Sequence, residues 1–255
     1  MANNFLITLS WQTATWRELE VVANNVANLG TTGYKNDHSR FSEFLMSGAH
    51  ADQFAVPDRP VSFVQDRGTW HDFSQGAFQQ TGGPLDTAIG GDGFFVVQTQ
   101  RGERYTRNGA FQLNNAGELV TSNGDRVLGD GGPIVLQTTD RDIVVTSDGT
   151  IKVREGLSLT SDSTRGKLRV VTFDNPQALR KDGVSTYSAP AGVQPRPTEK
   201  IKIEQGMIEK SNVHSVLEMT RMIEITRKYT EVAHMVQQQS DLRRSAIQQL
   251  AEVPA

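Results

Sequence analysis

A strict heptad pattern near the N-terminus is the sequence feature that most constrains the fold of this chain. Its members recur at steps of four and three residues and include one polar residue. We call them the N-terminal seam: Phe5, Leu9, Gln12, Trp16, Leu19, Ala23 and Val26. The spacing predicts a helix from about Asn3 to Leu29, stopped by Gly30. Because no comparable helical pattern returns until beyond residue 210, the seam must find its partner near the C-terminus, in another molecule, or in both.

The composition excludes several classes of protein. The 255 residues carry 26 Lys and Arg against 29 Asp and Glu, so the sequence predicts no strongly basic face for wrapping nucleic acid. No run approaches the roughly 18 apolar residues of a membrane-spanning helix, and no basic segment followed by an apolar one predicts a cleaved secretory signal. The absence of cysteine excludes disulfides, thiolate metal sites and a cysteine nucleophile.

The middle of the sequence predicts a connector followed by an all-β domain. Residues 36–75 are interrupted by Gly and Pro and predict an extended connector, with a short helix around Phe41–Met46. Residues 76–204 contain short β-branched and aromatic runs such as Gly93–Thr99 and Lys167–Phe173, separated by turn signals such as Asn108-Gly109. This alternation predicts a meandering all-β barrel or sandwich.

A second helix is predicted at the C-terminal end. Ser215 and Glu218 have the spacing of a capping box, and a mostly apolar set of residues then recurs at steps of three and four. We call these positions the C-terminal stripe: Met222, Ile225, Tyr229, Val232, Val236, Gln239, Arg243, Ala246 and Leu250. We expect Met219, Ile223, Ala233 and Ile247 to widen the stripe.

The predicted fold class is α+β, in which two long terminal coiled-coil-type helices form a discontinuous α domain and flank a central all-β barrel or sandwich-like domain. At about 1.5 Å per residue, a C-terminal helix of some 35 residues is about 50 Å long. A small β domain is too narrow to cover it. The two helices are therefore expected to form a stalk that carries the β domain laterally.

The sequence contains no recognisable catalytic, cofactor or metal motif. The Gly90–Gly93 run lacks the helix that follows a phosphate-binding loop, so we interpret it as a tight turn. His38, His50 and His71 lie among Asp residues, but their spacing matches no known ligand pattern, and solvated polar residues are the preferred interpretation. A cell-wall hydrolase with a helical anchor and a self-contained binding module stay open as alternatives to an assembly protein.

Four separated motifs point to one protein family. The first is ANNVANLGTTGYK at Ala23–Lys35, and the next two are LDTAIGGDGFF at Leu85–Phe95 and YTRNGAFQL at Tyr105–Leu113. The fourth is the GMIEKSNV run that begins at Gly206, followed by the second helix. In content and order these motifs resemble the flagellar basal-body rod and hook proteins of bacteria, and the resemblance covers nearly the whole chain.

This resemblance implies a non-enzymatic structural subunit of the basal-body rod. Chain length and the segments Val127–Leu136 and Gly166–Phe173 are most similar to the proximal-rod protein, with the distal-rod protein as the close alternative. Such a subunit would be exported unfolded by the flagellar type III apparatus without a cleaved signal. In the periplasm it would join other proximal and distal rod subunits in a helical shaft that transmits motor torque, with terminal helices inside and the β domain outside.

Four segments and a set of interface residues follow from the pattern and the resemblance together. Residues 1–35 and 205–255 are expected to be the two helices of a rod core domain, with a connector at 36–75 and an all-β outer domain at 76–204. The residues expected to contact neighbouring subunits are Leu9, Trp16, Leu19, Asn24, Asn25, Val26, Asn28, Met222, Ile225, Tyr229, Val232 and Val236. The three Asn residues are expected to bond to neighbouring backbones, and a frayed Asn-rich helix end is the alternative.

Overall fold

The computed structural model describes residues 2–46, 61–155, 162–198 and 202–251. The chain divides into two compact units. The helical unit is drawn from residues 1–27, 37–71 and 214–255, and the β unit from residues 28–36 and 72–213. His50, with the other residues of 47–60, and the tail beyond Ala251 lie outside the described residues.

The helical unit combines both predicted helices with a hairpin. Its elements are α1 (Ala2–Ala27), β1 (Asp37–Met46), β2 (Val61–His71) and α2 (Ser215–Ala251). Strands β1 and β2 pair antiparallel from Asp37 opposite His71 to Met46 opposite Val61, and α1 packs against α2 and both strands. One helix at each end of the chain is therefore confirmed.

The prediction of a short helix around Phe41–Met46 is wrong, because this segment belongs to strand β1. Its hydrogen-bonding partner is β2, which lies well beyond it in the sequence. A local apolar pattern carries no information about such a distant pairing, and strand pairing overrides weak helical spacing. Much of the predicted connector at 36–75 is thus a β-hairpin within the helical unit.

The β unit is a set of short antiparallel strands. In chain order they are β3 (Phe78–Gln80), β4 (Thr87–Gly90), β5 (Phe94–Thr99), β6 (Gly102–Thr106), β7 (Phe111–Leu113), β8 (Leu119–Thr121), β9 (Arg126–Gly129), β10 (Gly132–Pro133), β11 (Asp140–Val145), β12 (Thr150–Glu155), β13 (Asp162–Lys167), β14 (Val170–Thr172), β15 (Arg180–Lys181), β16 (Thr186–Ser188), β17 (Arg196–Pro197), β18 (Lys202–Gln205) and β19 (Met207–Glu209). A single turn of 3₁₀-helix covers Pro176–Ala178.

The sheet of the β unit is open. Its main path runs β15-β16-β6-β5-β9-β8-β7, with β10 on β9 and with β14 bridging β5 to β17. Smaller sheets are formed by β11-β12-β13, by β4 with β18, and by β3 with β19. Within the described ranges the path does not return to β15, so the predicted barrel is corrected to an open β-rich assembly. The sequence pattern of short strands does not indicate whether the first and last strands of the sheet pair with each other.

Strand β5 shows why a continuous apolar run can form the centre of this sheet. Phe95 and Val97 lie in one buried cluster with Ile89, whereas Phe94 and Val96 lie in a second cluster with Tyr105. Successive side chains of a strand point to opposite faces. A strand covered on both faces therefore reads as an unbroken apolar segment instead of an alternating one.

The turn between β11 and β12 gives a testable pH effect. Asp148 accepts hydrogen bonds from the hydroxyls of Thr146 and Thr150, which lower the pKa of its carboxyl to about 2. A carboxyl with a depressed folded-state pKa stabilises the fold above its unfolded pKa and loses that contribution as the pH falls through the folded value. We expect Asp148→Asn to lower the urea midpoint at pH 7 and to have a much smaller effect near pH 2; an equal loss at both pH values would contradict this.

Candidate assembly interface

The buried face of α1 is not the N-terminal seam. Over residues 7–27, the part of α1 whose burial is described, the buried residues are Thr15, Val21, Val22 and Asn25. Thr15 satisfies its hydroxyl by donating to the Trp11 carbonyl at 2.7 Å. The buried face is therefore partly polar. The sequence prediction relied on the spacing of apolar residues and for this reason pointed to a neighbouring face.

The N-terminal seam is only partly buried. Leu9 is 43% exposed and Trp16 is 51% exposed, whereas Leu19 and Val26 are half-buried. The Trp16 ring lies 5.8 Å from the Tyr229 ring of α2, measured between centroids. The seam thus touches α2 at its edge and leaves large apolar side chains uncovered in the described chain.

The C-terminal stripe mainly packs inside the helical unit. Ile225 is fully buried, and half-buried positions of the same face flank it; they are Met222, Tyr229, Val232 and Val236. Arg221 on this side donates to the Glu18 carboxylate of α1 at 2.9 Å. Met219, Ile223 and Ile247 were expected to widen the stripe, but each is exposed over half or more of its surface.

Asn25 makes a two-sided contact with the backbone of its own chain. Its Nδ2 donates to the Asp37 carbonyl at 2.7 Å, and its Oδ1 accepts from the Asp37 N–H at 3.0 Å. Nδ2 also lies 3.3 Å from the buried Glu218 carboxylate of α2. The side chain therefore joins α1, β1 and α2 within one molecule, so its fully buried amide is not on a free surface.

The other two Asn residues of the first motif lie at the end of α1. Asn24 is exposed, and Asn28 is half-buried with its Oδ1 accepting from the Thr31 hydroxyl at 3.0 Å. The backbone N–H of Thr31 also bonds to the Asn28 carbonyl. Asn28 thus helps close the turn that follows the helix.

A buried ionic cluster in the β unit was not predicted from the sequence. The Lys35 ammonium lies 2.6 Å from Glu209 Oε1 and donates to the Ser74 carbonyl at 2.5 Å, and the Gly76 N–H donates to the same Glu209 oxygen at 2.8 Å. Arg107 Nη1 lies 3.5 Å from Glu209 Oε2. We call Lys35, Arg107 and Glu209 the buried ion cluster.

Burial dominates the electrostatics of this cluster. It lowers the pKa of Lys35 below the usual lysine value, and the Glu209 charge partly offsets the effect. It lowers the pKa of Arg107 in the same way, opposed by Glu209 and Asp92. Lys35 bonds directly to the Glu209 carboxylate and Arg107 lies 3.5 Å from it, so the loss of Glu209 would leave both cations without this counter-charge.

Close backbone approach explains a glycine in the first motif. Gly33 has a φ of +67°, and a Cβ at this position would collide with the backbone of Arg107 and Asn108. Its N–H donates to the Glu209 carbonyl at 2.7 Å. Only glycine allows the first motif to lie this close to the third and fourth motifs.

Asn212 of the fourth motif strengthens the same junction. Its Oδ1 accepts from the Asn36 N–H at 2.7 Å, and its Nδ2 donates to the Asp72 carbonyl at 2.8 Å. The sequence contains one indication of these contacts, because Lys35, Arg107, Glu209 and Asn212 all lie inside the family motifs. It does not indicate which of them contact each other, because the motifs are far apart along the chain.

The histidines considered for a metal site have other neighbours. His71 Nδ1 lies 2.5 Å from the Asp37 carboxylate, and the His38 ring stacks near Trp70. Across 2–46, 61–155, 162–198 and 202–251, no three His, Cys, Asp or Glu residues are grouped to hold a metal ion. No helix in these ranges has the length and apolar character needed to cross a membrane.

Comparison with known families decides the identity of the chain. Residues 10–35 match the model for flagella basal body rod proteins, 88–153 the flagellar hook protein FlgE/F/G D1 domain, and 204–249 the C-terminal domain of flagellar basal body rod FlgEFG proteins. The flagellar basal-body rod protein FlgF of Caulobacter vibrioides is 38% identical over 99% of this chain and 100% of its own length. This chain belongs to the flagellar basal-body rod protein family.

Two further relatives indicate the group within the rod family. FlgF of Mesorhizobium japonicum is 32% identical over 98% of both chains. FlgG of Bacillus subtilis is 31% identical over 83% of this chain and 85% of its own length. The FlgF relatives match essentially from end to end, so this rod-family chain fits the FlgF group better than the FlgG group. It is a structural, non-enzymatic subunit of the flagellar basal body.

The buried contacts tie together the three segments that match rod-family models. Lys35 lies in the first matched segment, Arg107 in the second and Glu209 in the third. Asn25 and Glu218 likewise connect the first and third segments. The rod-family motifs therefore include residues that hold one subunit together.

Proposed function

We propose that this chain is a proximal-rod subunit that assembles through its terminal helices into the axial shaft transmitting motor torque. The exposure of Leu9 and Trp16 on a heptad face is the observation that carries the proposal. Large apolar side chains at coiled-coil spacing gain free energy when another helix covers them. The full-length match to FlgF relatives supports the proximal position over the distal one.

The interface that we propose starts from the N-terminal seam. Leu9, Trp16, Leu19 and Val26 contact a neighbouring rod subunit, while Asn24 and Asn28 border that contact at the end of α1. Four residues of the C-terminal stripe are only half-buried and contribute their exposed atoms to this contact; they are Met222, Tyr229, Val232 and Val236. Asn25 and Ile225 are buried and act indirectly, because they hold the helices that carry this surface in place.

Transport to the periplasm through the flagellar export apparatus completes the proposal. Both units join segments from distant parts of the chain, including residues 28–36 with 202–213 in the β unit. Neither unit can be complete until the C-terminal part of the chain is available. This arrangement suits a chain that passes through a narrow channel unfolded and folds after it emerges.

A charge in the N-terminal seam is expected to abolish motility without unfolding the subunit. Trp16→Asp places a carboxylate on the contact face, where an unpaired buried charge opposes assembly. In a strain whose own copy of the gene is deleted, the variant should swim no farther in soft agar than the deletion strain. Its circular dichroism spectrum should match that of the unaltered protein.

Two further variants make this test specific. Leu9→Asp charges the other exposed seam position and leaves the ring contact between Trp16 and Tyr229 in place. Leu113→Asp makes the same change at a residue of similar exposure, 41%, on β7 of the β unit, and should swim normally. Full swimming by both seam variants would refute the role that we propose for the seam.

A further inference from the structure

The first half of α2 carries a second apolar stripe that the described residues of its own chain do not cover. We call it the outer stripe: Val216, Met219, Ile223, Thr226 and Thr230. Val216, Met219 and Ile223 are 78%, 50% and 56% exposed. A helix turns about 100° per residue, so Ile223 points roughly opposite to the buried Ile225. This half of α2 is therefore apolar on two opposite faces, the pattern of a helix held between two partners.

The two threonines of the outer stripe add little polarity to it. Thr226 donates its hydroxyl to the Met222 carbonyl at 2.7 Å, and Thr230 donates to the Thr226 carbonyl at 2.8 Å. Each hydroxyl hydrogen is thus engaged within the helix. The stripe continues as an apolar surface from Val216 to Thr230, beyond which the same face becomes polar at His234 and Gln237.

Five of the seven members of the N-terminal seam match the outer stripe in spacing, and the segment that they cover matches it in length. Leu9, Gln12, Trp16, Leu19 and Ala23 are separated by the same steps of three, four, three and four residues as the members of the outer stripe. Each set spans about 21 Å along its helix, at 1.5 Å per residue. Within one molecule they cannot pair, because α1 and α2 already pack through the faces that contain Val22 and Ile225.

We propose that the outer stripe of α2 is a docking surface for the N-terminal seam of a second copy of this chain. The inference rests on the proposed function and names the partner of its interface. An α2-to-α2 contact would join two identical stripes and leave Leu9 and Trp16 of both copies exposed. Pairing the seam with the outer stripe covers both surfaces with one type of contact. Such a contact is heterologous and can propagate from copy to copy, as an axial assembly requires.

Cysteine cross-linking tests this pairing directly, since the natural chain has no cysteine. Gln12→Cys protein is mixed with Thr226→Cys or with Thr220→Cys protein that carries a size tag, and a short bismaleimide is added to the concentrated mixture. Cysteines at positions 12 and 226 lie close if the two helices run antiparallel. Cysteines at positions 12 and 220 lie close if the helices run parallel. We expect a mixed-size dimer from one pair and little dimer from any single variant alone.

Matched charge variants show whether the outer stripe causes the contact. Ile223→Asp in the α2 partner should reduce the mixed dimer about tenfold, the effect of losing a central interface residue. Val184→Asp changes a residue of similar exposure, 51%, in the β unit and should leave the yield unchanged. Failure of both mixed pairs to cross-link, or a dominant Thr226→Cys homodimer, would overturn the proposal.

Swimming assays separate this proposal from the proposed function. If the unaltered gene restores swimming to the deletion strain while Ile223→Asp also swims normally, the outer stripe is not an assembly contact but the rod function stands. If the unaltered gene does not restore swimming, the proposed function fails, and the cross-linking result still reports on the pairing of the two helices.

Discussion

Glu209→Gln is expected to destabilise the β unit by about 3–5 kcal/mol, the usual cost of removing one partner from a buried ion pair. Glu209 Oε1 receives the Lys35 ammonium and the Gly76 N–H, and Oε2 faces Arg107. A glutamine of nearly the same size keeps an acceptor for Gly76 but removes the negative charge. Lys35 then loses its directly bonded counter-charge, and Arg107 loses the counter-charge that lies 3.5 Å away.

Urea unfolding followed by tyrosine near-UV circular dichroism measures this loss. Three of the four tyrosines, Tyr34, Tyr105 and Tyr187, belong to the β unit and are buried there, so most of the tyrosine signal reports its unfolding. Glu204→Gln is the matched control, because Glu204 pairs with the exposed Lys202 at 2.7 Å on the neighbouring strand β18. Exposed pairs contribute about 0–1 kcal/mol. A Glu209 variant no less stable than the Glu204 variant would show that the cluster does not stabilise the fold.

The elements predicted best from the sequence were those with a strong local pattern. The helices α1 and α2 follow from apolar spacing of three and four residues, and strand β5 follows from a dense β-branched and aromatic run. Each signal is contained within a few turns or one strand. The hairpin of β1 and β2 was missed because each strand pairs with a segment on the other side of residues 47–60, outside its own local pattern.

The orientation of α1 shows a second limit of sequence patterns. The predicted seam is the most regular apolar face, yet Thr15 and Asn25 lie on the buried one. Polar residues are tolerated inside when their hydrogen bonds are satisfied. Asn25 obtains this from the backbone of Asp37 and Thr15 from its own helix. A search for regularly spaced apolar residues passes over such polar ones, so it selected the face that carries the exposed Leu9 and Trp16.

The buried ion cluster could not be predicted for a related reason. Lys35, Arg107 and Glu209 lie in three different motifs, and a charged residue in an isolated sequence segment is most often solvated. Only the folded β unit brings them together. The motif resemblance identified the family, but it did not distinguish residues that hold one subunit together from those available to its neighbours.

The Asn25 contact makes this distinction testable. Asn25→Leu removes an amide that satisfies both the N–H and the carbonyl of Asp37 in a buried position. Each buried polar group left without a partner costs about 1–3 kcal/mol, so we expect the helical unit to lose about 2–4 kcal/mol of unfolding free energy. All three tryptophans, Trp11, Trp16 and Trp70, belong to this unit, so fluorescence excited at the tryptophan band follows its urea transition selectively.

Ala27→Leu provides the control, because it places a leucine at an exposed position near the end of the same helix. We expect its tryptophan transition to stay within about 0.5 kcal/mol of the unaltered protein, as for most surface substitutions. An intramolecular role for Asn25 predicts early unfolding in dilute monomer, before any assembly takes place. A role only between subunits predicts an unchanged monomer and a defect that appears when subunits associate. Equal unfolding of the two variants, with lost motility only for Asn25→Leu, would therefore return Asn25 to the subunit interface.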